Sequence, residues 1–106
     1  MDCLVIASAS GYAAVKDVTG KVGIIRYHID DSDMTTAWRK VIWFEVKDPS
    51  MPFCHVNRIS ILPGNEEALS ILLSAKMTDN EIMVRVDESK TYPDSKYCKL
   101  QFITLL

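Results

Sequence analysis

One segment of this chain has helical periodicity, and its place among strand-like segments limits the fold to a few arrangements. Between residues 66 and 77, Ala68, Ile71, Leu72 and Ala75 follow the spacing of one helix face, and Leu69 and Leu73 widen it on one side. Pro63-Gly64-Asn65 stops the preceding pattern. Asn65 can cap free N–H groups, and Glu66 and Glu67 sit at the positive end of the helix dipole. The pattern predicts a helix from Glu66 to Met77, ending near Thr78-Asp79-Asn80. At ~100° per residue the apolar arc covers about 200°, roughly twice what a helix on one sheet needs. Either a neighbouring subunit covers its second side, or loops and the N-terminal segment of the same chain do so.

The other patterned segments alternate as strands. Val22 to Ile29 places Ile25, Tyr27 and Ile29 on one face, with Arg26 and His28 on the other. Thr19-Gly20-Lys21 separates this run from the β-prone Tyr12 to Val18, so the two predict a hairpin. After a polar loop, Asp30 to Thr36, the stretch from Trp38 to Lys47 alternates Ile42, Phe44 and Val46 against Val41, Trp43 and Glu45. Asp48 to Pro52 is a turn by composition. Phe53 to Leu62 follows, its alternation slipping near Asn57-Arg58 as at a bulge. Beyond the helix, Ile82 to Val86 is a strand, Asp87 to Ser95 a loop, and Tyr97 to Leu106 a closing strand with Cys98, Leu100, Phe102 and Thr104 on one face.

Several strands, one helix, then two strands is not the order of a βαβ-rich parallel sheet. The order fits a mainly β fold with one helix: a small OB-fold-like antiparallel barrel, with the helix between strands. A length of 106 residues suits one such domain, spanning 1–106.

Charge and motif content then narrow the function. A net charge of −2, with Lys and Arg scattered, weighs against nucleic acid, whose binding needs a basic stripe. No stretch approaches the ~20 apolar residues of a membrane span. The start, Met1 to Ala7, lacks the positive region of a signal peptide and breaks at Ser8 and Ser10. Either the chain is cytosolic, or a leader was removed ahead of it. Cys3, Cys54 and Cys98 form no C-x-x-C pair and so suggest no zinc site. They allow one disulfide and a spare thiol, or three reduced, buried thiols.

Catalytic signatures are missing from the sequence. His28 and His55 fall in predicted strands outside any metal-binding spacing, and Ser8-Ala9-Ser10-Gly11 is not a nucleophile elbow. Asp30, Asp31 and Asp33 lack the glycine and glutamate of a calcium loop, so a solvated connection is expected there. A non-catalytic protein without cofactor or metal is the expectation. Trp38 and Trp43 are an odd number apart and face opposite sides of a regular strand. Trp43 shares the less apolar side with Glu45. One reading makes it an exposed platform for a sugar face, with Trp43, Glu45 and Trp38 as ligand-binding candidates. The other has Trp43 filling the gap between sheet and helix.

The stretch from Phe53 onward carries a family resemblance. A cysteine-bearing strand (FCHVNRISIL), then NEEALSILLSAKMTDNE, a strand IMVRVDES, a loop, and YCKLQFITLL follow in order. This resembles the back half of the OB-fold B subunits of bacterial five-subunit toxins and similar small secreted bacterial proteins. The resemblance lies in order and spacing over about half the chain, and no sugar-binding residue of the family maps onto it. It implies export to the periplasm or medium, an intrachain disulfide, a homopentamer, glycan binding and a possible A-type subunit. It makes Cys54 and Cys98 the expected pair, closing a loop of about 44 residues and contributing roughly 3–4 kcal/mol. In such a ring, Leu69, Leu73 and Lys76 are expected where the helix meets its neighbour. A protein–protein adaptor without glycan binding is the alternative.

Overall fold

A computed structural model describes residues 15–47, 54 and 57–106 of the chain. The elements are β1 (Val15–Tyr27), β2 (Ile42–Val46), β3 (Arg58–Ile61), α1 (Glu67–Thr78), β4 (Glu81–Thr91) and β5 (Cys98–Leu105), with a 3-10 turn at Thr36–Trp38 before β2. The strands close into a barrel in the order β1-β2-β3-β5-β4. Among the described residues each strand therefore has a neighbour on either side. The fold is mostly β with one helix between strands, the OB-like barrel expected from the order of elements. Pairing is antiparallel except between β3 and β5, which run parallel through Ile59–Cys98 and Ser60–Lys99.

The expected hairpin at Thr19-Gly20-Lys21 is instead the middle of one long strand. Gly20 pairs with Ile82 and Lys21 with Glu81 of β4, while Ile25 pairs with Phe44 and Tyr27 with Ile42 of β2. Closing a barrel requires one strand to serve two neighbours, and a bulge between Val22 and Ile25 supplies the bend. Gly23 lies in that bulge, where a Cβ would come within 3.3 Å of Lys47 Cγ.

Ile42, Phe44 and Val46 point into the barrel and meet Ile59, Ile61, Ile82, Val84 and Val86 from the other strands. The helix adds Leu72 and Ala75, fully buried, with Ala68 and Leu69 packed against the same core. Its start departs from expectation: Glu66, not Asn65, holds the cap position. The Asn65 amide donates back to the Leu62 carbonyl at 3.2 Å, and the Gly64 N–H donates to the Glu66 carboxylate at 3.0 Å. Asn65 is thus used to bind the incoming turn. At the other end Asp79 adopts a left-handed conformation (φ 57°), and the Asn80 N–H donates to the Ala75 carbonyl.

Two further expectations are corrected in the last hairpin. β4 runs on through Asp87 to Thr91, which pairs with Cys98, so the expected loop is shorter. In β5 the register shifts, with Leu100 opposite Val86 but Phe102 opposite Arg85. The extra residue passes the inward phase from Leu100 to Ile103, and Phe102 and Thr104 turn outward. Phe102 then lies beneath the Arg85 guanidinium, 4.9 Å from the ring centroid.

Cys54 and Cys98 form a disulfide, their Cα atoms 5.6 Å apart. It sits where the parallel β3–β5 pairing is only two residue pairs long, and Ser60 Oγ donates to the Cys98 carbonyl beside it. The covalent link therefore reinforces the shortest junction in the barrel. The Asp48 to Pro52 turn, Cys3, His55, Ser8 and Ser10 lie outside the described residues.

Candidate functional site

The outer face of β2 carries the aromatic candidates. Because Ile42, Phe44 and Val46 point inward, Trp43 and Glu45 point away from the barrel interior. Trp43 pairs with Arg26 of β1 on one side and with Ser60 of β3 on the other. Arg26 and Arg58 lay their guanidinium groups over its ring, 5.0 and 4.4 Å from the centroid, and Tyr97 packs at 5.9 Å. These neighbours leave Trp43 only 2% exposed. Trp43 is therefore no open platform, and the side chains named over it come from β1, β3 and the residue before β5, not from α1.

Trp38 sits in the 3-10 turn, so the odd spacing that would separate it from Trp43 on one strand does not apply. The Lys40 N–H donates to the His28 carbonyl and the His28 N–H to the Val41 carbonyl, which folds the turn back onto β1. Arg39 pins the preceding loop by donating to the carbonyls of Ser32 and Met34. The Trp38 ring lands 4.9 Å from His28 and 5.2 Å from Tyr97, the latter edge-on. Trp38 and Trp43 thus meet the same tyrosine, and Trp38 is the half-buried outer member of the pair.

Polar contacts fix this cluster. Trp43 Nε1–H donates to His28 Nε2 at 3.2 Å, which requires a neutral imidazole with its proton on Nδ1. Burial, and secondarily the nearby Arg26 charge, hold the His28 pKa below its ordinary value. The lone pair of Nε2 is occupied, so that nitrogen cannot act as a base while the indole bond stands. Arg58 Nη1 donates to the Tyr97 hydroxyl at 2.8 Å, and its Nε lies 3.6 Å from Glu45 Oε2. That Nε is buried without a hydrogen bond, so the Glu45 carboxylate acts as its counter-charge. Glu45 therefore anchors Arg58.

All three ligand-binding candidates, Trp43, Glu45 and Trp38, are brought into one cluster, joined through Tyr97 and Arg58. The sequence reading missed Arg26, Arg58 and Tyr97. A signal for the first two was present: Arg26, Trp43 and Arg58 all occupy off-core positions on successive strands. Tyr97 reaches Arg58 only through the β3–β5 junction, a pairing no local pattern marks. Among the described residues no group of three His, Cys, Asp or Glu side chains could hold a metal. Asp31 Oδ1 accepts the Asp33 N–H, as in a solvated turn.

On α1, Leu69 is half-buried against the core and the Lys76 ammonium donates to the Gly23 carbonyl of β1. Leu73 is 44% exposed and Met77 85% exposed, so the wide apolar arc of the helix is left partly open to solvent among the described residues. No described helix is long and apolar enough to cross a membrane. Comparison of the chain with protein-family models, curated proteins and solved structures finds no match.

Proposed function

We propose that this chain is a secreted, non-catalytic binding module that assembles into a ring of five and recognises a cell-surface glycan. The observation that carries the reading is the half-exposed Trp38 ring, propped by His28 and Tyr97 in the same cluster where exposed Arg26 lies over Trp43. An apolar sugar face stacks on the indole, while Arg26 donates to hydroxyl or carboxylate oxygens. Trp38 takes the platform role first considered for Trp43, which serves beneath it as support. The Cys54–Cys98 disulfide supports an oxidising compartment, periplasmic or extracellular. Exposed Leu73 and Met77 support a subunit contact along α1, with an A-type subunit as a further partner of the ring.

A glycan microarray probed with the oxidised protein tests this. Specific retention is expected, and Trp38→Ala should weaken it about tenfold or more while the far-UV circular dichroism of the folded barrel is kept at the assay temperature. A blank array, or retention indifferent to Trp38→Ala, would contradict the reading. It would leave a protein–protein adaptor, which the exposed Leu73 and Met77 favour.

A further inference from the structure

A second recess shares no residue with the aromatic cluster. It is a groove of about 610 Å³ between the first half of α1, the β3–α1 turn and β5. Ala68 and Ile71 of the helix form one wall and Leu100 and Ile103 of β5 the other, within the volume range of small-molecule sites. The β5 register shift passes the inward phase from Leu100 to Ile103, and both side chains line the groove.

Lys90 and Lys99 also line the groove. The irregular stretch of β4 between Val86 and Thr91 lies opposite Lys99, because Thr91 pairs with Cys98 and Val86 with Leu100. Neither lysine is in an ion pair within 4.0 Å among the described residues. The Ser89 hydroxyl and backbone N–H engage the Asp87 carboxylate and hold its pKa below the ordinary value, with the Lys90 charge adding less. Glu67 lines the groove from the start of α1 and pairs with neither lysine. Two ammonium groups beside an apolar trough complement an anion that carries an apolar body.

We propose that this groove binds a single-chain amphiphile with an anionic head. The head sits between Lys90 and Lys99, and the acyl chain lies along Ala68, Ile71, Leu100 and Ile103. The site is independent of the glycan reading and does not need the ring.

Three probes used below their micelle concentrations test it by calorimetry: dodecanoate, hexanoate with the same head, and dodecyltrimethylammonium with the same tail. Dodecanoate should bind one per chain, with hexanoate about a hundredfold weaker or more because six methylenes are missing. The cationic probe should not bind at concentrations that saturate dodecanoate. Lys90→Glu combined with Lys99→Glu should weaken dodecanoate about tenfold or more while the thermal melt stays unchanged. In methyl NMR spectra the resonances of Ile61, Ile71 and Ile103 should shift with dodecanoate, and the indole N–H signals should not. Equal binding of the two long-chain probes, no dodecanoate binding, or shifts confined to other methyl groups would each overturn the proposal. The probe comparison on the unmodified protein decides the matter even if the lysine variant folds poorly.

Discussion

The two faces of β2 are held by different forces. Inward, Ile42, Phe44 and Val46 meet aliphatic side chains from the other strands and Leu72 of α1, where contact is non-directional and only volume and shape matter. Outward, Trp43 is enclosed by two guanidiniums, a histidine and a tyrosine whose contacts depend on charge state and hydrogen-bond direction. One strand thus joins a core that should tolerate conservative repacking to a cluster that should not. The directional side is where the candidate recognition surface lies, because its cations keep an aromatic surface soluble and oriented.

The largest effects should come from the interior. Phe44→Ala should cost about 3–5 kcal/mol in denaturant unfolding, whereas Phe44→Leu should cost less than about 1.5 kcal/mol. A Phe44→Leu cost as large as that of Phe44→Ala would break the distinction between the two faces. Next comes the junction both faces share, since Ile59 and Cys98 belong to the core while Arg58 and Tyr97 belong to the outer cluster. Replacing Cys54 and Cys98 together with alanine should destabilise by about 2–4 kcal/mol. It should also reduce the protection of Trp43 from fluorescence quenchers. A loss of stability with unchanged quenching would show that the outer cluster does not depend on the junction.

Smaller effects sharpen the directional side. Arg58→Met should cost about 1.5–3 kcal/mol, because Glu45 loses its counter-charge and Tyr97 its donor. Adding Glu45→Gln should recover part of that loss in a double-mutant cycle. Additive costs would deny the coupling. His28 gives the smallest effect and the only one set by pH near neutrality. Its folded pKa lies below the unfolded value, so the folded state binds fewer protons in that window and stability rises with pH there. The contribution is complete above the ordinary histidine pKa and is lost as pH falls through the depressed folded value. His28→Gln, which can still accept from the Trp43 indole, should flatten the dependence of the melting temperature between pH 5 and 7. An unaltered slope would remove His28 from the explanation.

Much of the barrel was readable because its core obeys local periodicity. Ile42, Phe44 and Val46 alternate in sequence as they do in space, and the helix lies one residue from its expected place, Glu67–Thr78. Two of the misread segments share one cause, barrel closure. Thr19-Gly20-Lys21 has turn composition, but pairing with β4 draws it into a strand, and Phe102 loses its phase to a register shift invisible in alternation. The site was half legible for the same reason. Trp43 and Glu45 could be assigned to the outward face of β2 by counting, while Tyr97 and the burial of Trp43 arise from segments distant in sequence. The exposed side of α1 could be anticipated from its wide arc, though not what covers it.

Native mass spectrometry of the oxidised protein tests the proposed exported, ring-forming module most directly. The expected species is five copies of the 12.0 kDa chain, each lighter by the two hydrogens of the Cys54–Cys98 bond. Leu73→Asp combined with Met77→Asp should reduce it to single chains that keep the disulfide. A monomer from the unmodified oxidised protein, at concentrations where glycan binding is assayed, would contradict the proposal.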